Sequence, residues 1–248
     1  MRRVKIALVL LFVVVSTTFA DYKGVVEPLQ PIWQATVCLR AYCNVCQEEH
    51  SLGTGFLYSS KQVVTASHVI EGFRMGCVLG YFDPNSLSVY IDSNEPGFCV
   101  THYRCVPEVD VAVVWIETAF EPNYVICKQK PLIGSRVYSV GHPFGFDRTV
   151  CSGVVSGLHR NVKGLSAIQD YIQTDIATNP GHSGAPLVDE QGRLVGMLTA
   201  GIGAQGFDAG LNFAVPVKLI LLAIEKVCLE EELENFWQRR GYVKSETK

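Results

Sequence analysis

The 248 residues are 48% hydrophobic and 18% charged with a formal net charge of −3, a globular composition that fits one large or two small domains. The near-neutral balance supplies no basic patch and argues against a nucleic-acid partner. Twenty-two glycines against three Met and three Trp suit a turn-rich β protein and not a helical bundle.

Residues 1–20 stand apart. Arg2, Arg3 and Lys5 precede an apolar run over 6–15, and Thr18 and Ala20 sit at −3 and −1 of a cut before Asp21. This is the signal-peptide pattern, and the run is short for a membrane span. Export is expected, with no stable membrane insertion after cleavage; an uncleaved anchor is the alternative. Nine cysteines follow: Cys38, Cys43, Cys46, Cys77, Cys99, Cys105, Cys127, Cys151 and Cys228. In an exported chain some should pair as disulfides, and the odd count leaves at least one over. Cys38, Cys43, Cys46 and His50 are also a zinc candidate, but one C-x-x-C is a weak signal, so the expectation is no metal and no cofactor.

After a Pro-bearing lead-in over 21–34, strands are expected at 35–42, 52–58 and 62–66, the last two joined by a hairpin turn at Ser59-Ser60-Lys61. Residues 67–72 read as one helical turn stopped by Gly72. Short apolar runs over 77–90 and a strand over 98–105 lead to 109–116, an apolar strand broken by Asp110. A carboxylate there is costly unless something pairs with it. Residues 117–134 form a connector. Strands at 135–140, 149–158, 171–175, 193–199 and 211–215 follow, and 216–228 is apolar at helical spacing from a proline start. About a dozen short strands in two groups predict an all-β fold of two packed barrels, about 35–118 and about 130–216, with a C-terminal helix over 216–228 and a charged, solvated tail over 229–248.

The chemistry centres on Asn179-Pro180-Gly181-His182-Ser183-Gly184-Ala185-Pro186. A serine between glycines lets the backbone fold closely around an exposed nucleophile. Alone, Gly-x-Ser-Gly is an ordinary turn. His68, after Thr65-Ala66-Ser67, and Asp110 supply a base and an orienting acid in the order His, Asp, Ser, one of the known chain orders of the serine triad. In that reading Ser183 attacks a carbonyl, His68 moves the proton and Asp110 holds the imidazole. The loop at Gly181, His182 and Ser183 offers backbone N–H groups as an oxyanion hole.

Val63-Val64-Thr65-Ala66-Ser67-His68-Val69-Ile70, Val109-Asp110-Val111-Ala112-Val113-Val114 and Asn179-Pro180-Gly181-His182-Ser183-Gly184-Ala185-Pro186-Leu187-Val188 resemble the three catalytic blocks of trypsin-like serine peptidases. Val140-Gly141-His142-Pro143-Phe144-Gly145, Gln173-Thr174-Asp175 and Leu211-Asn212-Phe213-Ala214-Val215-Pro216 are similar to the HtrA/Deg branch. The resemblance spans roughly 35–225. It implies a double β-barrel with the site in the cleft, protein or peptide substrates, and self-association as an open option. It further implies a specificity pocket near Ala177, Thr178, Thr199, Ala200, Gly201, Gly210 and Leu211. Ala177 stands where Lys/Arg-cleaving members carry an acidic residue, so a shallow pocket for small aliphatic P1 residues is expected; Asp208 is the charge nearby that could alter it. The chain departs from the pattern at His182, where Asn or Asp is usual, at Ala185 for a usual glycine, in the absence of a PDZ domain after Pro216, and in its cysteine count. A peptide-binding pseudoenzyme of the same fold, an esterase and a disulfide-held structural protein are the rivals; the last leaves Asp110 unexplained.

Overall fold

A computed structural model describes residues 26–91, 95–162, 167, 170–204 and 207–240, without the side chains of Ala200 and of 202–209. The expected signal peptide, the start of the lead-in, the end of the tail and the side chain of Asp208 lie outside the described residues.

The first half forms a seven-stranded antiparallel sheet from β1 (Thr36–Cys43), β2 (Glu48–Ser59), β3 (Gln62–Thr65), β4 (Ser88–Tyr90), β5 (Phe98–Cys99), β6 (His102–Val106) and β7 (Val111–Trp115), in the order β5-β4-β1-β2-β3-β7-β6. The second half is a closed barrel of β8 (Arg136–Gly141), β9 (Thr149–Arg160), β10 (Tyr171–Thr174), β11 (Pro186–Asp189), β12 (Leu194–Ala204) and β13 (Phe207–Pro216), in the order β10-β13-β12-β11-β8-β9. The expected two-barrel, all-β architecture is therefore present, with the first barrel left open between β5 and β6. Alternating strand residues turn inward, so that Val37, Leu39, Phe56 and Val64 are fully buried in one half and Val137, Leu187 and Ala214 in the other. Each fully buried side chain of this kind contributes roughly 2 kcal/mol.

Three helices depart from the sequence reading. α1 (Gln30–Ala35) occupies the lead-in, with Pro31 near its start and Ile32 and Ala35 buried. The expected single turn at 67–72 is α2 (Ser67–Val78). Gly72 faces open space, and Val69, Ile70 and Phe73 share a buried face that carries the helix past it, against the roughly 1 kcal/mol that an interior glycine costs. α3 runs over Val217–Arg239, well beyond 228, from an N-cap at Pro216. Its first half buries Ile220, Ala223, Ile224 and Val227. Its second half was read as solvated tail. It is held to β6 by an ion pair of Arg104 with Glu234 at 2.6 Å and a hydrogen bond between His102 Nε2 and Glu231 Oε1 at 3.2 Å.

All nine cysteines are free thiols in this structure, where some are expected to pair. Cys38 and Cys127 are buried within their own halves of the fold, and Cys228 accepts a hydrogen bond from Gln62 at 3.3 Å.

Candidate active site

Asp110 was expected inside a strand. It instead closes a 3₁₀ turn, Pro107–Val109, one residue before β7, with φ 56 and ψ 45. The left-handed backbone turns its side chain out of the strand register and toward the start of α2. Its carboxylate is 6% exposed and accepts three groups. The His68 N–H donates to Oδ1 at 2.9 Å, His68 Nδ1 lies 2.9 Å from Oδ2 and 3.1 Å from Oδ1, and the Thr199 hydroxyl donates to Oδ2. Donors collected in this way satisfy oxygens that burial keeps from water, and the amino end of α2 adds its positive pole.

The same contact sets the base. Burial acts to lower the His68 pKa, but the hydrogen bond and charge of Asp110, with Glu71 further off, outweigh it and the net shift is upward. With Nδ1–H donated to Asp110, the lone pair sits on Nε2, the tautomer a general base needs.

Ser183 lies in the loop between β10 and β11. Its Oγ donates to the Thr199 carbonyl at 3.4 Å, a long bond that leaves the hydroxyl free to swing to a stronger acceptor. Among the described residues it makes no hydrogen bond with His68; such bonds commonly tighten only when substrate binds.

The backbone beside it is shaped by tying off the carbonyls. Pro180 O accepts from the Phe144 N–H at 2.7 Å, Gly181 O from Thr54 Oγ1 at 2.6 Å, and Ser183 O from the Thr54 N–H at 2.9 Å. Among the described residues the N–H groups of Gly181 and Ser183 donate to nothing in the protein. His182 differs from the expectation. Its N–H is spent on Asn179 O at 2.9 Å, which leaves Gly181 and Ser183 as the candidate donors with unspent N–H groups. Gly181 has φ 98, and a Cβ there would run into His142 O.

Gly184 has φ 86, and a Cβ would strike Thr54 O and Thr65 Oγ1. We expect Gly184→Ala to cost about 3 kcal/mol, from left-handed strain plus a backbone clash. Urea unfolding measures it, and a change under about 0.5 kcal/mol would mean the loop is not held as described.

Two neighbours were missed in the sequence. Thr54 is fully buried and clamps the loop through Gly181 and Ser183 while accepting the His142 N–H at 2.9 Å; its only signal is a polar side chain between Gly53 and Gly55. The His182 ring is 1% exposed, held neutral by burial, and accepts the Asn179 N–H through Nδ1 at 3.4 Å. It braces the loop from beneath, where the sequence reading gave weight only to its backbone.

Of the predicted pocket residues, Thr178 and Gly201 come together around Asn212. The Thr178 hydroxyl donates to Asn212 Oδ1 at 2.6 Å, and Asn212 Nδ2 donates to Ile176 O at 2.7 Å. A polar residue inside the apolar run 211–215 was the signal for Asn212. Ala177 and Leu211 are exposed, and Gly210 is half-buried with φ 69. Thr199 is 4% exposed. Its hydroxyl is turned inward to Asp110 and its carbonyl meets Ser183. We expect Thr199→Val, near-isosteric but without the donor, to lower kcat/KM about 10-fold by leaving the buried carboxylate one partner short; steady-state kinetics unchanged from the parent would remove Thr199 from the account. A cavity of about 430 Å³ bounded by Ile126, Leu158, Tyr171, Leu221 and Leu222 contains none of the predicted site residues.

The family described as trypsin-like peptidase domain matches residues 53–197. The chain is 33% identical over 184 residues to Protease Do-like 1, chloroplastic, of Arabidopsis thaliana, covering 71% of this chain and 39% of that protein. It is 32% identical over 193 residues to a probable periplasmic serine endoprotease DegP-like of Ectopseudomonas mendocina, covering 77% and 38%. The solved structure of the HtrA-type protease AlgW with decapeptide superposes with a TM-score of 0.67 at 26% identity, covering 81% of this chain and 66% of that one. The chain thus spans about two fifths of the length of these two curated relatives.

Proposed function

The chain belongs to the trypsin-like peptidase family, and on that premise we propose that it is a serine endopeptidase working through Ser183, His68 and Asp110. The observation that carries the reading is the Asp110 carboxylate, which holds His68 Nδ1 at 2.9 Å and so leaves Nε2 as the base. Ser183 Oγ turns from Thr199 O toward His68, gives up its proton to Nε2 and attacks the substrate carbonyl. The Gly181 and Ser183 N–H groups receive the oxyanion; each such donor is worth about 3 kcal/mol of the barrier. His68 then protonates the leaving amine, and water cleaves the acyl-enzyme by the same route in reverse.

The substrates are proteins or peptides, as the relatives' names suggest. The pocket by Ala177, Thr178 and Gly201 is uncharged among the described side chains, which favours small aliphatic P1 residues. Residues 1–20 and the periplasmic relatives favour export. An inactive peptide-binding role has less support, since it needs neither the His68–Asp110 pairing nor two unspent N–H groups beside a serine. Cleavage of a peptide library by the purified protein tests both parts. We expect cuts after Ala, Val or Ile. Dominant cleavage after Lys or Arg overturns the pocket, and no cleavage by a folded protein overturns the endopeptidase reading.

A further inference from the structure

We propose that Cys43, Cys46 and His50 form a zinc site at the tip of the β1–β2 hairpin, with the fourth coordination position open to solvent. The two Sγ atoms and the histidine ring nitrogen lie within 4.8 Å of one another, and Cys46 Sγ is 2.9 Å from His50 Nε2. A tetrahedral zinc with Zn–S about 2.3 Å and Zn–N about 2.1 Å sets its ligand atoms about 3.5–3.8 Å apart. The three donors therefore need only small side-chain rotations to receive an ion. Two thiolates and an imidazole are the donor set that selects zinc over magnesium or calcium. Cys38, the fourth residue of the sequence cluster, is excluded: it is buried in β1, with its Sγ directed at Ser51 Oγ and Leu39 O.

The turn that carries the donors is held independently of any metal. Cys43 and Glu48 pair across β1 and β2, and Ala41 faces His50 in the same register, so the histidine sits two residues from the last pair of the ladder. Gln47, directly after the second cysteine, has φ 61, which reverses the chain and aims Cys46 back over the hairpin. That costly conformation is pinned by Tyr42 Oη donating to Gln47 Oε1 at 3.0 Å and Gln47 Nε2 donating to Asn44 O at 2.7 Å. The Asn44 N–H donates to Tyr81 O at 2.8 Å, which ties the turn to the segment after α2.

Cys46 and His50 are exposed, so the ion acts as a clip on the hairpin and not as a second reaction centre. β2 continues from His50 to Thr54, four residues on, which grips the oxyanion loop. The clip therefore steadies the outer end of the strand that shapes the site. Binding displaces the two thiol protons, so affinity rises with pH.

The test uses the full protein, reduced and stripped with chelator, with all nine thiols verified by titration. Zinc uptake of one equivalent per chain is expected, with a Kd below about 1 μM. Cobalt in its place should give thiolate-to-metal charge-transfer absorption and tetrahedral ligand-field bands. Cys46→Ser and His50→Ala should each weaken binding about 100-fold, while Cys99→Ser, an exposed cysteine outside the cluster, keeps it. Zinc at a hundredfold excess over Kd should raise Tm by about 5 °C. Absence of uptake by the reduced, folded protein overturns the proposal, and so does uptake that Cys46→Ser and His50→Ala leave unchanged.

Discussion

Ser183→Ala should fold as the parent does and lose about 10⁶ in kcat for peptide hydrolysis. The two halves of this expectation have separate causes. The hydroxyl makes one long hydrogen bond, 3.4 Å to Thr199 O, so its removal costs less than about 1 kcal/mol of stability and moves Tm by a few degrees at most. The rate loss is large because the serine is the only atom on which the acyl group can be carried, and the remaining parts act as a unit around it. Rate and thermal unfolding measured on one preparation separate the two. Loss of activity with a collapsed Tm would reduce Ser183 to a structural residue.

Asp110→Asn should lower kcat about 10⁴-fold, the scale that a wrong histidine tautomer carries in a serine triad. The reason lies in how the carboxylate is surrounded. One oxygen accepts the His68 N–H and the other the Thr199 hydroxyl, and both also face His68 Nδ1. An amide has only one oxygen for these donors. If its NH₂ turns to Nδ1, the imidazole proton moves to Nε2 and the base is lost. If it turns to Thr199 or to the helix N–H, two donors face each other in a buried place.

The pH profile carries a second signature. In the parent, Asp110 lifts the His68 pKa above its ordinary 6.5, so kcat/KM falls as pH drops through that raised value. Asp110→Asn should move the acid limb to lower pH. The sign for stability is opposite. A raised folded-state pKa means the charged pair stabilises the fold fully below about pH 6.5, and this contribution is lost as pH rises through the folded value. The variant should lack that acid-side stabilisation. An acid limb in the same place in both proteins would show that Asp110 does not set the base.

The triad was legible because each member sits in a short local pattern, and the chain order of the three is itself informative. The supporting residues were not. Thr199 reads as one more residue of an apolar strand near a pocket. It sits at an irregularity in the β12–β13 register between Leu198 and Ala200, which no local pattern shows. Thr54 and Gly181 are 127 residues apart in the chain. The length of α3 escaped the reading because its second half is stabilised by partners on β6, Arg104 and His102, and not by an apolar face of its own. Cysteine placement has the same origin: sequence counts cysteines but does not place them, and folding buries Cys38 away from Cys43, Cys46 and His50 at the hairpin tip. Fold class was recoverable from strand spacing, while the opening between β5 and β6 depends on pairings that spacing leaves undetermined.

The central claim is that Ser183 is an activated nucleophile with His68 as its base, and labelling with a fluorophosphonate tests it most directly. The account predicts a single covalent adduct on Ser183, abolished in Ser183→Ala and in His68→Ala, with both variants still folded. Labelling that persists in Ser183→Ala, or a folded parent protein that does not label at all, would contradict it.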